Sequence, residues 1–232
     1  WVYRPRSPSD ARAYSLSVGR RAGERAVRRI NPGAIKSGAL PVVFDPRVGG
    51  SLVGHLMGAI SGASIARKTS FLLESEGVQL FDSGLSIIDD PLRLRGLGSR
   101  GFDGEGLPTA RRAIIDKGVL TGWLMESAAA RQLGRQPTGH ASRGGSGAPG
   151  TTSSNLHLEG GTLSVAELIA DIDYGVYIHE LSGQGVNSVT GDYSRGAAGF
   201  LIGAPNRNAD RIQRQIEGAQ PIRIDADLVL LD

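Results

Sequence analysis

Glycine limits what this chain can fold into more than any other residue does. Of the 232 residues, 34 are glycine, and they interrupt the apolar segments along most of the length. Because glycine reaches backbone conformations that other residues avoid, but weakens the interior of helices and strands, this pattern predicts short elements joined by many tight turns. Hydrophobic residues make up 40% of the chain, which is enough to form a core in one large domain or two small ones.

The composition excludes several classes of protein and site. The chain contains no cysteine, which excludes a disulfide scaffold, a thiolate metal ligand and a thiol nucleophile. No apolar run reaches the length of about 18 residues that suggests a membrane span, and the first residues lack the apolar core of a secretory signal. The formal net charge is only +3, whereas nucleic-acid binding requires a concentrated basic patch.

Residues 15–30 have the periodicity of an amphipathic helix. Four apolar residues recur at every fourth position and would share one face: Val18, Ala22, Ala26 and Ile30. The remaining surface carries five arginines: Arg20, Arg21, Arg25, Arg28 and Arg29. Such a helix binds nucleic acid or an acidic partner, or it presents a solvated face. The solvated face is the preferred interpretation, because it is the common use of charge on a helix.

A helix rich in small residues is predicted over residues 46–66. It follows a short buried strand at 41–45, with Asp45 placed to cap it and Pro46 in its first turn. Its many Gly, Ala and Ser residues favour very close packing against neighbouring backbone. His55 lies inside it and is either a metal ligand or base, or a packed or surface residue. The second interpretation is preferred because no other ligand lies at helical spacing.

Short-range signals place several turns and caps in the rest of the chain. Asp116-Lys117-Gly118 separates two β-prone runs and predicts a tight hairpin. Gly134 closes a short helix, and Ser164 with Glu167 has the spacing of a capping box. A long polar loop is predicted at 135–154. Strands are predicted at residues 71–75, 78–91, 155–161, 174–203 and 222–232.

Several patterns that suggest chemistry are incomplete. No G-x-S-x-G elbow of a serine hydrolase is present. The G-x-G-x-x-G match at 96–101 is followed by Pro108, which argues against the helix that a dinucleotide site requires, so a structured turn is preferred. Asp103 and Glu105 can serve acid–base chemistry or hold a Gly-rich turn, and the turn is preferred. The histidines lie too far apart for a zinc motif: His55, His140, His157 and His179.

Three long segments resemble the C-terminal domain of the PmbA/TldD metallopeptidase family, in its TldE (PmbA) type. They begin with PVVFDPRVGG at residue 41, GFDGEGLPT at residue 101 and GQGVNSVTGDYSRGAAGFLI at residue 183. The similarity runs from about Gly23 to Ile202. It implies an α+β fold with mixed, largely antiparallel sheets and a few packed helices.

The resemblance also implies a division of the chain. Residues 1–38, with the Arg-rich helix, correspond to a remainder of the family's N-terminal domain. Residues 39–232 correspond to the C-terminal domain, shortened after residue 202, where further strands and a helix are expected. Since the sequence does not begin with methionine, a fragment or a trimmed chain is expected.

The family implies a function that depends on two unlike subunits. TldD-type and TldE-type proteins form a cytoplasmic heterodimer that acts as a metallopeptidase on unfolded or flexible peptides. The TldD-type subunit carries a metal-binding HExxxH helix and a later cysteine ligand, and the TldE-type subunit lacks them. An older description links the family to modulation of DNA gyrase.

The resemblance locates the positions that correspond to the metal motif. Aligned on RKTSF at residues 67–71, Val53 stands in place of the first His, Gly54 in place of the catalytic Glu, and Gly58 in place of the second His. His55 falls one position beyond the Glu site and is not a ligand by this correspondence. Valine and glycine cannot hold a metal ion or activate its water. No metal or other cofactor is therefore expected in this chain, and zinc is expected on the TldD-type partner.

The leading hypothesis is a non-catalytic subunit of a TldD/TldE-type heterodimeric metallopeptidase that degrades or processes flexible peptides. The expected partners are a TldD-type protein and a peptide substrate, with a homodimer where that partner is absent; neither nucleic acid nor a membrane is expected. The residues assigned to peptide or partner binding are Arg67, Thr69, Ser70, Asp103, Glu105, Gln184, Asn187 and Gly191. Two alternatives stay open. One is a self-sufficient metallopeptidase that uses the scattered histidines, and the other is a nucleic-acid or DNA-gyrase-associated binding module built on the Arg-rich helix.

Overall fold

A computed structural model describes residues 8–27, 30, 33–35, 38–203 and 221–224. The helices in this part are α1 (Pro8–Val27), α2 (Pro46–Ala59), α3 (Gly62–Ala66), α4 (Ser127–Gln132) and α5 (Val165–Ala170). The strands are β1 (Gly33–Ala34), β2 (Val42–Phe44), β3 (Ile87–Asp89), β4 (Arg112–Asp116), β5 (Val119–Leu120), β6 (Ala141–Ser142), β7 (Gly150–Thr151), β8 (Leu156–Leu158), β9 (Tyr174–Val186), β10 (Tyr193–Gly203) and β11 (Pro221–Ile224). The predicted α+β class with largely antiparallel sheets is confirmed.

The chain divides into two units. The first contains the described residues before Gly49, together with Leu163–Gln184, 195–203 and 221–224. The second contains Gly49–Thr162 and Gly185–Ser194. This division follows contacts within the chain, and the domain boundary that the family resemblance implies at residue 38 stays a prediction.

A five-stranded sheet forms the centre of the first unit, in the order β1-β11-β10-β9-β2. Gly199 lies against Tyr177, and Gly196 lies against Ser182. Residue numbers thus rise along β10 as they fall along β9, which makes these two long strands antiparallel. β11 is also antiparallel to β10, whereas β1 and β2 pair in parallel with β11 and β9.

Alternating side chains of β9 cover both faces of this sheet. Val176 and Ile178 belong to one buried cluster, and Tyr177 between them packs against another, as the period of two in a strand requires. The second cluster contains Ile169 of α5 and Ile202 of β10. The apolar strand sequence thus explains why this sheet has apolar packing on each side.

The predicted Arg-rich helix is present with different ends. It was expected at 15–30, and α1 spans Pro8–Val27. Its side chains from residue 14 to residue 27 are exposed, whereas Arg28 and Arg29 lie outside the described residues. None of the helices in the described part of the chain combines the length and apolar character needed to cross a bilayer.

The second unit is built on a four-stranded antiparallel sheet in the order β5-β4-β3-β8. Its core contains large, fully buried apolar side chains: Ile60, Ile114, Ile115, Leu120 and Leu124. β6 and β7 form a separate small ladder inside the segment predicted as one long polar loop. That loop is therefore partly paired.

Local signals predicted the hairpin and the helix caps correctly. Lys117 and Gly118 have φ angles of 47° and 82°, which suits the tight two-residue turn between β4 and β5. Ser164 Oγ accepts a hydrogen bond from Glu167 N at 3.3 Å, and the Glu167 carboxylate accepts one from Ser164 N at 2.6 Å. α4 is followed by Gly134 at φ 65°. These features depend on neighbouring residues alone.

The prediction of one helix over residues 46–66 is wrong at Ile60–Ser61. Gly62 N donates to Leu124 O at 2.6 Å, and Leu124 N donates to Ile60 O at 3.0 Å. These backbone groups pair across the unit, so the helix stops at α2 and starts again as α3. Ser61 caps α3 by accepting a hydrogen bond from Ser64 N at 3.3 Å.

The strand predicted at 71–75 is also wrong, because this segment forms turns. Ser70 Oγ accepts a hydrogen bond from Leu72 N at 3.0 Å, and Ser75 N donates to Leu72 O at 3.2 Å. Leu72 alone of this segment is fully buried. Within the next predicted strand, only Ile87–Asp89 is a strand. Of the predicted C-terminal strand, residues 225–232 lie outside the described residues.

Asp45 joins the start of α2 to the sheet of the first unit. Its N–H donates to Ile178 O at 2.8 Å, and its Oδ1 accepts from the Arg47 N–H at 3.0 Å, which confirms the predicted cap. The Arg47 guanidinium and the Tyr177 hydroxyl donate to its carboxylate at 2.8–3.0 Å. The Arg47 side chain, against the opposing effect of burial, lowers the pKa of Asp45 to about 2. Burial, followed by the Asp45 charge, raises the pKa of Tyr177 to about 12.

We expect Asp45→Asn to reduce stability in a pH-dependent way. The folded pKa of about 2 lies below the usual aspartate pKa of 3.8, so the carboxylate stabilises the fold above pH 4, and this contribution is lost as the pH falls towards 2. The free energy of unfolding of wild type should exceed that of the variant by about 1–2 kcal/mol at pH 6, allowing for the exposure of Arg47. Urea unfolding of both proteins between pH 6 and pH 2.5 measures the difference. A gap that stays constant below pH 4 would contradict this account.

We expect Gly62→Ala to destabilise the second unit. A Cβ on Gly62 would lie 2.9 Å from Ala129 Cβ and 3.0 Å from Leu124 O. The overpacking should cost about 1–3 kcal/mol in the free energy of unfolding. Gly58→Ala is the matched control, because no atom lies within 4 Å of a Cβ there, and it should stabilise α2 by about 0.5–1 kcal/mol. Equal effects of the two substitutions in urea unfolding would refute the packing argument.

Candidate functional site

Helix α2 presents a bare face at the positions that the family resemblance singles out. Gly50, Gly54 and Gly58 are four residues apart, so they lie on one side of the helix, and all three are exposed. No atom lies within 4 Å of a Cβ built on any of them. Val53 is half-buried and packs against the core of the second unit. This face therefore offers backbone surface and no functional side chain.

The histidines make separate local contacts. The ring of His55 is half-buried and meets the Tyr193 ring edge-on at 5.7 Å between centroids. His179 Nδ1 lies 2.6 Å from Ala198 O, and His157 Nδ1 lies 3.1 Å from Asn155 O. Each of these three histidines thus contacts a different neighbour.

The structure brings two of the predicted site segments together within the second unit. Phe71, which follows Ser70, donates its N–H to Ser188 O at 2.9 Å. Gly191 has φ 86°, and a Cβ there would lie 3.2 Å from the Phe71 ring. The segment at 67–71 therefore lies beside the turn at 187–191. Gly191 is suited to this turn because it combines a left-handed backbone with a close approach to the ring.

Most polar groups of these two segments form hydrogen bonds within or next to their own segment, and so stabilise its turns. Thr69 N and Oγ1 bond to Ser64 O at 2.9 and 3.3 Å. Asn187 Oδ1 accepts from Val189 N and Thr190 N at 3.0 and 3.3 Å, an Asx-type turn. Arg67 is the C-cap of α3 and is exposed. Of this group, Arg67 is the side chain best placed to meet another molecule.

Asp103 and Glu105 organise a different part of the second unit. Asp103 is buried and accepts hydrogen bonds from the N–H groups of Glu105, Leu107 and Ala141 at 2.9–3.0 Å. Burial alone would raise the pKa of Asp103, but these backbone donors outweigh it and lower the pKa. Glu105 Oε2 accepts from Ser127 N and Oγ at 2.8 and 2.6 Å, at the start of α4. Asp103 thus holds the Gly-rich turn, as the preferred interpretation of the sequence had it, whereas Glu105 binds the start of α4 instead of the turn.

Gln184 belongs to a different unit from the other predicted binding residues. It belongs to the first unit, near the end of β9, and its side chain is exposed. The other predicted binding residues all belong to the second unit. The roles assigned to all of them in binding remain predictions.

Sequence reasoning missed a buried polar network in the second unit. His140 Nε2 lies 3.3 Å from Asp89 Oδ2, and His140 Nδ1 lies 2.9 Å from Thr138 Oγ1. Asp89 Oδ1 also accepts from Ser154 N and Oγ, each at 2.8 Å. Asp89 and His140 are almost fully buried. Because its members lie up to 65 residues apart, no local sequence signal could reveal it.

The G-x-G-x-x-G segment is a structured turn beside this network. Gly98 N donates to Asn155 Oδ1 at 2.9 Å. A Cβ on Gly98 would lie 2.6 Å from Ser154 O, so glycine is needed for the close approach of the two backbones. No helix follows the motif in residues 97–111. The interpretation as a turn is confirmed.

Sequence reasoning also missed a charged groove in the second unit, which we call the Arg112 groove. It has a volume of about 320 Å³ and is lined by Glu76, Arg112, Trp123, Arg135 and Thr138, among others. Arg135 stacks over the Trp123 ring at 5.0 Å. Two of its nitrogens bond to the two carboxylate oxygens of Glu76 at 3.1 and 2.7 Å. The groove combines residues far apart in sequence, which is why pattern reading could not find it.

A catalytic metal does not fit the three residues that the family resemblance aligns with the metal motif. Val53, Gly54 and Gly58 have no donor atoms in their side chains. Across the described ranges, no group of three or more His, Asp or Glu side chains is arranged to hold a metal ion. By the family resemblance, these three positions supply no metal ligand, and that correspondence stays a prediction.

Solved structures share this fold. A proposed modulator of DNA gyrase from Bacteroides thetaiotaomicron matches with a TM-score of 0.75 and 31% identity, covering 88% of this chain and 42% of that one. TldE from Thermococcus kodakarensis matches with a TM-score of 0.67 and 22% identity, covering 87% of this chain and 44% of that one. The latter identity supports the fold alone. The fold thus places the chain in the same structural class as these solved proteins.

Sequence comparison identifies the family. The model of the PmbA/TldA metallopeptidase C-terminal domain matches residues 37–212. Metalloprotease PmbA of Escherichia coli O157:H7 is 43% identical over 185 residues, which are 80% of this chain and 39% of that protein. A metalloprotease of Methanothermobacter thermautotrophicus is 35% identical over 182 residues, 78% of this chain and 40% of that protein. The chain belongs to the PmbA/TldD metallopeptidase family, and it spans about two fifths of the length of these relatives.

We expect Asp103→Ala to destabilise the second unit by about 2–4 kcal/mol. The substitution leaves three backbone N–H groups without their charged acceptor, and hydrogen bonds to charged groups are among the costliest to remove. Glu74→Ala is the control, since Glu74 is exposed, and it should change stability by no more than about 0.5 kcal/mol. Urea unfolding at pH 7 measures both. A small effect of Asp103→Ala would show that the turn does not depend on this carboxylate.

Proposed function

We propose that this chain is the metal-free subunit of a cytoplasmic TldD/TldE-type peptidase that cleaves flexible peptides. What supports the proposal is that Val53, Gly54 and Gly58, which the family resemblance aligns with the HExxxH motif, have no metal-binding side chains. The two glycines lie on the bare face of α2, and Val53 packs against the core. A chain with these residues cannot polarise water on a metal by the family mechanism. The names of its relatives, which include metalloproteases, support a peptidase context.

The same helix face supports a structural role for the chain. Gly50, Gly54 and Gly58 leave the backbone of α2 accessible, and small residues allow another element to approach closely. In the proposed complex this surface faces the TldD-type subunit, which holds the zinc ion. The chain then completes the architecture around an active site that belongs to its partner.

A contact with the peptide is proposed near the end of β9. β2 pairs with residues Val176–Ile178 only, and β9 extends beyond them to Val186. In the part of the chain that the structure describes, no strand pairs with the β2 side of residues 181–184. An extended peptide binds such an edge through backbone hydrogen bonds, and the exposed Gln184 side chain lies there.

We expect the complex to be active and the chain alone to be inactive. Co-expression with a family homologue from the same genome that carries HExxxH and a cysteine should give a complex with about one zinc per heterodimer. It should cleave an unstructured peptide, whereas the chain alone should bind no stoichiometric zinc and show no cleavage. Metal analysis and a fluorogenic peptide assay measure both properties.

Two variants separate the proposal from a self-sufficient enzyme. His55→Ala should leave the zinc content and activity of the complex unchanged, because His55 packs against Tyr193. A His→Ala change in the partner's motif should abolish both. Stoichiometric zinc and peptidase activity in the chain alone, lost in His55→Ala, would overturn the proposal. Unchanged peptide affinity of the complex after Gln184→Ala and Asn187→Ala would argue against the contact near β9, and not against the subunit role.

A nucleic-acid-binding module is the second candidate function. The exposed side chains of Arg20, Arg21 and Arg25 on α1 favour it. Two observations weigh against it: the net charge is only +3, and Glu24 lies among these arginines. DNA binding that weakens steeply with salt and is lost on neutralising Arg25, Arg28 and Arg29 would support it.

A further inference from the structure

The Arg112 groove contains a positive charge that the described residues do not neutralise by contact. Arg112 is half-buried, and within the described part of the chain its guanidinium makes no hydrogen bond or ion pair. Glu76 is the carboxylate nearby, but Arg135 already bonds to both of its oxygens. The groove thus contains two guanidinium groups and one carboxylate.

Burial makes this charge costly. Loss of water around Arg112 lowers the pKa of its guanidinium, and the charge of Glu76 offsets this only in part. A guanidinium stays ionised in proteins, so the groove retains its positive charge. A partly desolvated charge is stabilised most by an opposite charge that also fills its hydrogen-bonding positions.

The groove is built in advance of any ligand. A Cβ on Gly122, which has φ 145°, would lie 2.8 Å from Arg112 Nη2. The glycine therefore allows the guanidinium to lie directly against the backbone. On the other side, Arg135 is fixed by its stacking on Trp123 and its two bonds to Glu76. The volume of about 320 Å³ lies at the lower end of the range for small-molecule sites.

We propose that the Arg112 groove binds a carboxylate group, held by the Arg112 guanidinium beside the Trp123–Arg135 wall. The planar guanidinium matches a carboxylate with two parallel hydrogen bonds. The ligand is an acidic side chain or a free C-terminus of a peptide, since both present the same group. This site is independent of the proposed subunit role, because it requires neither a metal nor a TldD-type partner.

Trp123 provides a direct signal for binding. The chain has two tryptophans, Trp1 and Trp123, so a Trp1→Phe background, excited selectively at tryptophan, reports from the wall of the groove. The probes are N-acetyl-alanine, with a terminal carboxylate, and N-acetyl-glutamic acid α-amide, with a side-chain carboxylate. N-acetyl-alanine amide is the neutral control. We expect a saturable fluorescence change with a Kd of about 1 mM for at least one acid, and at least about tenfold weaker binding of the amide.

Variants at Arg112 test the assignment of the charge. Arg112→Gln should weaken binding of the acid about tenfold or more. Arg112→Lys keeps the charge but loses the planar guanidinium that makes two hydrogen bonds, so its effect should be intermediate. Arg131→Gln is the matched control, because Arg131 is an exposed arginine of α4 in the same unit, and it should bind as wild type does. Near-ultraviolet circular dichroism and urea midpoints establish that each variant is folded.

The relative affinities of the two acids identify which carboxylate the groove recognises. Stronger binding of N-acetyl-alanine supports recognition of a C-terminus, and stronger binding of the glutamate amide supports recognition of an acidic side chain. Equal binding of acid and neutral amide overturns the proposal, as does unchanged affinity in a folded Arg112→Gln protein. Absence of a saturable change with either acid up to about 50 mM also overturns it. The acid-to-amide comparison on the unsubstituted Arg112 groove holds even if a variant fails to fold.

Discussion

The pairing of Leu124 with the backbone at Ile60 and Gly62 is the contact on which the second unit depends. It uses backbone groups that would otherwise continue a helix, so α2 ends at Ala59 and α3 begins at Gly62. It also fixes the segment between β5 and α4, in which Trp123 and Met125 flank Leu124. Trp123 lines the Arg112 groove, and α2 carries the bare glycine face. A single backbone contact thus determines the limits of the helix and the position of one groove wall.

Two buried carboxylates of the second unit, Asp89 and Asp103, accept hydrogen bonds from backbone N–H groups of irregular segments. A loop with many exposed peptide groups must find acceptors for its N–H groups when it packs against a core. Asp103 supplies them to three residues of two separate segments, and Asp89 supplies them to Ser154 while it contacts His140. These buried acids therefore account for much of the order in a region with few strands. The lowered pKa values of Asp89 and Asp103 result from these hydrogen bonds and do not by themselves indicate catalysis.

Sequence reasoning succeeded where neighbouring residues determine the structure. The Lys117-Gly118 turn and the Ser164–Glu167 capping box each depend on a few adjacent side chains, and the family resemblance supplied the α+β class. It failed where a distant contact decides. The break in the predicted helix at residues 60–61 depends on Leu124, and the apolar segment at 71–75 forms turns because Leu72 alone anchors it. The Arg112 groove was missed for the same reason, since strand β4, the segment after α4 and the loop at Glu76 meet only in the folded chain.

The fold of this domain does not require the chemistry of its family. Val53, which the family resemblance aligns with a ligand position, packs against the core cluster that contains Ile60. Glycines at the other two positions leave α2 intact, because the helix is held by its buried side rather than by its exposed face. The core, the hydrogen bonds of Leu124 within the second unit and the buried carboxylates do not depend on that face. The proposed loss of the metal site would therefore cost this scaffold little stability, because fold and function rest on different residues.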